Sequence, residues 1–185
     1  ILILLNYLYN DTNTFQSHTL CTSILKMFQT QNGSSVMNLP KQFIVSRQYG
    51  TMFFQKEREK TPSASQKLIV NEWNEGRDVR FYIGETSRMN APLSESAQIY
   101  YVSADTLAVP LRVRTREVGD RIQLSGMSKP KRLSRLFIDE KVPLTKRDDW
   151  PLLVDAHNEV LAVLRLRVSS KFSRTRRAGD DYVFV

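Results

Sequence analysis

Apolar positions recur with a helical period at the start of the chain and with an alternating period towards its end. Leu4, Leu5 and Leu8 fall at i, i+1 and i+4. After a polar break at Asn10–Asn13, Leu20, Ile24, Met27 and Phe28 fall at i, i+4, i+7 and i+8. This spacing predicts two helices within residues 1–31. Ser17 has the chemistry of an N-cap for the second helix, and Cys21 inside it is expected to be a buried, inert thiol. Gln31-Asn32-Gly33-Ser34 reads as a turn. Beyond it the period shortens. Val36, Phe43–Val45 and Met52–Phe54 read as strands, joined at Asn38–Lys41 and Gln48–Gly50. The charge run Lys56–Lys60 and the small polar stretch Thr61–Ser65 read as solvated loop and linker. Strands resume at Lys67–Val70 and Arg77–Ile83. A weak alternation over Tyr100–Pro110 leads to a boundary near Val109-Pro110.

From Leu111 the alternation is sharp. Leu111 and Val113 take one face of a strand, and Arg112, Arg114 and Arg116 the other. Val118-Gly119-Asp120 turns the chain, with Gly119 as the turn glycine, and Ile122 and Leu124 make a second short strand. Residues Lys131–Asp139 are predicted as one helix. Leu133, Leu136 and Phe137 lie at i, i+3 and i+4, so Arg132 and Arg135 point away from the stripe. Val142-Pro143 ends it. Leu152–Val154 and Val160–Leu164 flank Asp155–Asn158, a hairpin signature, and Val168 and Tyr182–Val185 complete the sheet. The expected fold class is α+β: a helical and mixed middle region over residues 1–109, then a compact β-rich domain with one helix over 110–185.

Composition changes the picture in one respect. The chain has 185 residues, 41% of them apolar, so it can bury a core. Its charge, however, is uneven: residues 110–185 carry a net +7 of the total +8. A local positive field marks a polyanionic partner. The single cysteine allows no internal disulfide, and no Cys/His cluster has zinc spacing, which points to a cytoplasmic setting without a metal. The opening Ile1–Leu5 is too short to span a bilayer and lacks the flank and cleavage site of a signal peptide, so no membrane partner is expected. Ile1 is read as an internal position of a longer protein.

Chemistry narrows further by what the sequence omits. It has no phosphate-loop, dinucleotide or zinc-protease motif and no nucleophile elbow. His18 and His157 are far apart, and His157 falls in the hairpin turn. Asp139-Glu140 and Asp148-Asp149 read as helix-end or salt-bridging acids. No catalytic residue is assigned. What remains is a basic surface in three groups: Arg112, Arg114 and Arg116; Lys129, Lys131, Arg132 and Arg135; and Lys171, Arg174, Arg176 and Arg177. Cations spread in this way suit a phosphate backbone, and loop amides near Gly126 add donors. Arg114 and Arg116 can equally pair with Glu117 and Asp120. The alternative reading is a structural module, able to form a homodimer, with a merely solvated basic face.

An ordered run of motifs carries a resemblance. It comprises Arg114-Thr115-Arg116, Gly119-Asp120-Arg121-Ile122, Gly126, Lys131-Arg132-Leu133, Leu136-Phe137-Ile138-Asp139, Val142-Pro143, Arg147 and Pro151-Leu152-Leu153-Val154. Arg167, Ser169, Lys171 and Phe172 extend it. Together these resemble the C-terminal part of the tRNA(Ile)-lysidine synthetase family. Upstream, Gln31-Asn32-Gly33, Leu39-Pro40 and Arg47-Gln48-Tyr49 resemble the family's middle, substrate-binding region more weakly. Where family members have an aromatic-Val-Pro-Gly-Leu-Arg stretch, this chain has Ala162–Arg167, so the local backbone is expected to differ and Arg165 to add a cation beside Arg167.

The resemblance implies an intact enzyme that uses ATP with magnesium to adenylate the wobble cytidine of CAU-anticodon isoleucine tRNA, after which free lysine displaces AMP. The family's Ser-Gly-Gly-x-Asp-Ser loop, which binds ATP, does not occur in this sequence. The chain is therefore expected to be the tRNA-binding C-terminal portion, with no cofactor of its own and no ligase activity alone. The residues expected on tRNA are Arg114, Arg116, Arg121, Lys129, Lys131, Arg132 and Arg135, with Arg167, Lys171 and Arg174 behind them.

Overall fold

The computed structural model describes residues 1–9, 18–30, 34–48, 50–57, 65–76, 79–89, 93, 95, 97–180 and 182–184. The chain divides into two compact units: Ile1–Lys60 with Pro143–Thr145, and Thr61–Val142 with Lys146–Val185.

The first unit begins with the two expected helices, α1 (Leu2–Tyr9) and α2 (His18–Gln29). The proposed cap Ser17 and the turn at Gln31–Gly33 lie outside the described residues. Strands β1 (Ser35–Leu39), β2 (Phe43–Gln48) and β3 (Thr51–Lys56) follow and pair antiparallel in chain order. Leu5, Tyr9, Ile24, Leu39 and Val45 form the core, so the helical stripes and the strand alternation meet on one apolar seam. Cys21 is half-buried at the margin of this core and is a free thiol.

In the second unit come β4 (Gln66–Lys67), β5 (Glu72–Gly76), β6 (Val79–Glu85), β7 (Tyr100–Val102), β8 (Arg112–Arg114), β9 (Arg121–Ile122) and β10 (Lys131–Arg132). Helices α3 (Leu133–Asp139) and α4 (Leu144–Arg147) precede the hairpin of β11 (Leu152–Val154) and β12 (Val160–Val163). The chain continues through β13 (Arg167–Val168) and β14 (Tyr182–Phe184). One antiparallel sheet has the order β13-β12-β11-β8-β4, a second β5-β6-β14-β7, and β9 and β10 form a separate ribbon. The fold class is α+β.

The five-stranded sheet is covered on both faces, which explains the unbroken burial of β11 and β12. On one side Leu111, Leu153, Leu161 and Ala162 join Phe81, Ile83, Val102 and Phe184 of the four-stranded sheet. On the other, Leu152, Val154, Val160 and Val163 meet Ile122, Leu133, Leu136 and Phe137. The ribbon and α3 are therefore fixed to the unit by apolar packing.

Two expectations need correction. The helix expected over Lys131–Asp139 starts only at Leu133, because Lys131 and Arg132 pair with Ile122 and Arg121 as a strand. The Leu133 amide donates to the Asp120 carbonyl at 3.0 Å. Secondly, β5 and α4 arise where no element was expected. The compact units divide after Lys60. The physical reason is pairing: β4 joins β8, and β14 joins β6 and β7, so strands before residue 109 share sheets with strands after it.

Candidate nucleic-acid interface

The basic residues of the second unit sort by what surrounds them. Arg114 ends β8 and points inward, with its side chain 5% exposed. Its guanidinium grips the Asp120 carboxylate with two bonds of 2.8 Å. Its Nε donates to Asn158 Oδ1 at 2.9 Å and its Nη1 to the Thr115 carbonyl at 2.9 Å. Asp120 also accepts the Glu117 amide at 2.8 Å, closing the turn in which Gly119 takes φ +95°. Burial pushes the Asp120 carboxyl up, but Arg114 and the Glu117 amide outweigh it and hold the group below the usual carboxylate range. The Asp120 hydrogen bond in turn raises the Arg114 guanidinium. The strand face expected to display Arg114 to solvent is covered, because the Asp155–Asn158 turn and the Glu117–Asp120 turn close over it.

The next candidates are exposed or half-buried, and matched. Arg116 pairs with Asp148. Lys131 Nζ lies 2.7 Å from Asp139 Oδ2, and Arg135 Nε 3.1 Å from Asp139 Oδ1. The Lys131 hydrogen bond leads in holding the Asp139 carboxyl below its ordinary range. Arg167 meets Glu140 at 2.8 Å, and Lys171 meets Glu159 at 2.7 Å. Asp139, Glu140 and Asp148 thus act as the salt-bridging acids that the sequence suggested. The Arg174 guanidinium stacks over the Tyr100 ring, 5.4 Å from its centroid.

Of the ten residues expected on tRNA, three are left; Arg176 and Arg177 near the C-terminus are likewise exposed and without a side-chain partner among the described residues. Arg121, Lys129 and Arg132 are exposed, and among the described residues their side chains have no ion-pair, hydrogen-bond or ring partner. All three lie on the β9–β10 ribbon or on the loop that joins its strands. The loop is closed by Gln123, which donates to the Met127 carbonyl, and by Gly126 at φ +77°. The Ser170 amide anchors the base of the loop on the Gln123 carbonyl at 2.7 Å. Ile122 holds the ribbon from below. A fixed ribbon with unmatched cations on its outer face can bind a polyanion without first breaking internal pairs.

Among the described residues, no group of three or more His, Cys, Asp or Glu could hold a metal ion. No helix of the described residues is long and apolar enough to cross a membrane. The chemistry that a surface of arginines and lysines offers a polyanion is binding. Sequence reasoning missed Asn158. Its place in a hairpin turn is legible, but its bond to Arg114 spans two strands and is not.

Residues 111–181 match the family model described as the TilS substrate C-terminal domain. Curated relatives match over nearly the whole chain. The bifunctional protein TilS/HprT of Listeria innocua serovar 6a is 32% identical over 179 residues, covering 95% of this chain and 28% of that protein. The tRNA(Ile)-lysidine synthase of Shouchella clausii is 31% identical over 189 residues, covering 99% of this chain and 40% of that protein. The Bacillus subtilis (strain 168) synthase is 29% identical, covering 90% and 36%. Over nearly its whole length the chain is similar to tRNA(Ile)-lysidine synthases, and residues 111–181 match their C-terminal domain.

The match is to the C-terminal domain of these proteins, and the chain spans only 28–40% of the length of these relatives. The motif run from Leu111 to Phe172 falls inside the matched domain. The solved structure titled TILS C-terminal domain aligns with a TM-score of 0.44 at 24% identity, covering 82% of this chain and 93% of that one.

One departure from the family pattern is informative. Arg165 stands where the pattern has glycine, and it adopts φ +63°. This is the left-handed conformation, which glycine takes without strain and arginine only at a cost.

Proposed function

We propose that this C-terminal portion of the synthase holds the body of the tRNA and so positions the distant wobble cytidine for modification. The observation that carries the reading is the set of unmatched cations, Arg121, Lys129 and Arg132, on one anchored ribbon. RNA in A-form offers phosphates and 2′-hydroxyls rather than readable major-groove edges, so a charged, shape-fitting surface suits it. Binding energy from such a remote contact orients the reacting base. Lys131, Arg135, Arg116, Arg167, Lys171 and Arg174 contribute second, because each must first exchange a partner. Arg114 serves as a positioning residue that holds the turn before Arg121.

In this reading the partner is CAU-anticodon isoleucine tRNA, in the cytoplasm. ATP, magnesium and lysine are handled by residues of the intact enzyme outside this chain, which alone does not ligate lysine. The internal ion pairs favour the solvated-face reading for those paired cations only.

The test is binding of the chain to unmodified CAU-anticodon isoleucine tRNA and to elongator methionine tRNA across a salt series. An Arg121→Ala/Lys129→Ala/Arg132→Ala variant is compared with a Lys131→Ala/Arg135→Ala variant. The first is expected to bind on the order of tenfold more weakly or worse, and to flatten the salt slope by about one unit for each phosphate it no longer neutralises. The second is expected to weaken less. Equal binding by wild type and the triple variant would reject the ribbon as the interface.

A further inference from the structure

The β9–β10 ribbon has a feature that folding alone does not favour. Arg121 and Arg132 are direct register partners across its two strands. The Leu133 amide bonds the Asp120 carbonyl, which joins the residues flanking that pair, so the pair is of the non-hydrogen-bonded kind. Side chains of such a pair leave the same face, from Cα atoms only about 4.5 Å apart. Like charges placed directly opposite each other destabilise a ribbon. The ribbon has two residues per strand and few bonds to offset that repulsion.

The other face of the ribbon is fully accounted for. Ile122 packs in the core and Lys131 meets Asp139. Around it, Arg114, Arg116, Arg135 and Arg167 each have an acid. Arg121 and Arg132 face each other without one among the described residues. The acids that could have neutralised them are committed elsewhere: Asp120 to Arg114, and Asp139 to Lys131 and Arg135.

We propose that Arg121 and Arg132 form a two-armed clamp that takes one phosphate of an RNA backbone between them. A phosphodiester presents one negative charge and two free oxygens, and each guanidinium presents a planar fork of donors. One phosphate between the arms satisfies both forks and screens the repulsion. The clamp rests on the tRNA-binding reading above and adds a stoichiometry to it: two arginines, one phosphate.

The stoichiometry can be counted. The tRNA affinity of the chain is measured across a salt series for wild type, Arg121→Ala, Arg132→Ala and the double variant. Two arginines on one phosphate predict that the double variant lowers the salt slope by about one unit, and either single variant by less than one. Two arginines on two phosphates predict a drop of about two, which would overturn the clamp while leaving tRNA binding intact. An unchanged slope and affinity in the double variant would also overturn it, since the RNA would then lie elsewhere. A wild-type chain that binds no tRNA would sink the parent reading, a result visible before any variant is made.

A second measurement reads the stability of the ribbon beside its affinity. Arg132→Glu, with Arg121→Glu as its reciprocal, places opposite charges across the ribbon. At low salt each is expected to raise the midpoint of thermal unfolding and to lower tRNA affinity on the order of a hundredfold, because an acid now occupies the place of the phosphate. A lower midpoint in both would show that the free pair is not in conflict, and the case for a clamp would fail.

Discussion

Arg114 carries a full charge with its side chain only 5% exposed, and Asp120 answers it at 9%. A buried pair of this kind matters most when one partner is lost, because the remaining charge is then uncompensated. Arg114→Ala is expected to cost about 3–5 kcal/mol in chemical denaturation. Arg114→Lys should recover only part, since an ammonium cannot make the two-bond grip together with the Asn158 contact. The pair also sets a pH dependence. The Asp120 carboxyl is depressed in the folded state, so its contribution is complete above the ordinary aspartate range near pH 4 and is lost as pH falls through the lower folded value. Wild type should therefore lose stability steeply below about pH 4, and Asp120→Asn, though weaker at neutral pH, should lose it less steeply. At this scale the sequence makes the partners legible but not the burial. Arg114, Glu117 and Asp120 are close along the chain. That the arginine's face would be roofed by the Asp155–Asn158 hairpin turn depends on contacts that no local pattern encodes.

Elements were legible where a periodic stripe met a single apolar neighbour. α1, α2 and the β11–β12 hairpin follow from spacing alone. The boundary between β10 and α3 did not, because Lys131 and Arg132 fit a helix as well as a strand. Only their pairing with β9 decides it. β5 is a polar run, Glu72-Trp73-Asn74-Glu75-Gly76, with one large apolar residue, so no alternation announces it. Its register with β6 fixes it, helped by Arg80 stacked 4.7 Å over the Trp73 ring. β14 illustrates the same limit from the other side. Its residues read as a strand, but not as one lying between β6 and β7. Phe184 there touches the rings of Phe172 at 5.6 Å and Phe81 at 6.1 Å. Phe184→Ala is expected to destabilise the unit by about 3–5 kcal/mol, read from the shift in its unfolding midpoint. A change under about 1 kcal/mol would mean that the strand is dispensable to the sheet.

On the scale of the whole chain, charge and family motifs both point to the stretch from Leu111 onward, and the family model begins there. The unit that folds is larger. β4 supplies an edge to β8, and β6 and β7 flank β14, so residues 61–109 are structural parts of the same body. A fragment of residues 110–185 is thus expected to lose cooperative thermal unfolding and near-ultraviolet circular dichroism signal, while residues 61–185 retain both. An independently stable 110–185 fragment would contradict the sheet pairing described above. The basic ribbon was legible as a charge cluster, but which of its cations stay unmatched was not, since that depends on where Asp139, Asp148 and Glu140 fall in space. The placement of β14 also has a consequence for biosynthesis. A ribosome completes β6 and β7 long before it reaches Tyr182, and at about 5–20 residues per second the interval lasts several seconds. Throughout it the nascent chain presents two strand edges whose shared partner does not yet exist. This unit therefore closes only once β14 has been made, and a chaperone stationed at the ribosome would find its substrate in that open slot.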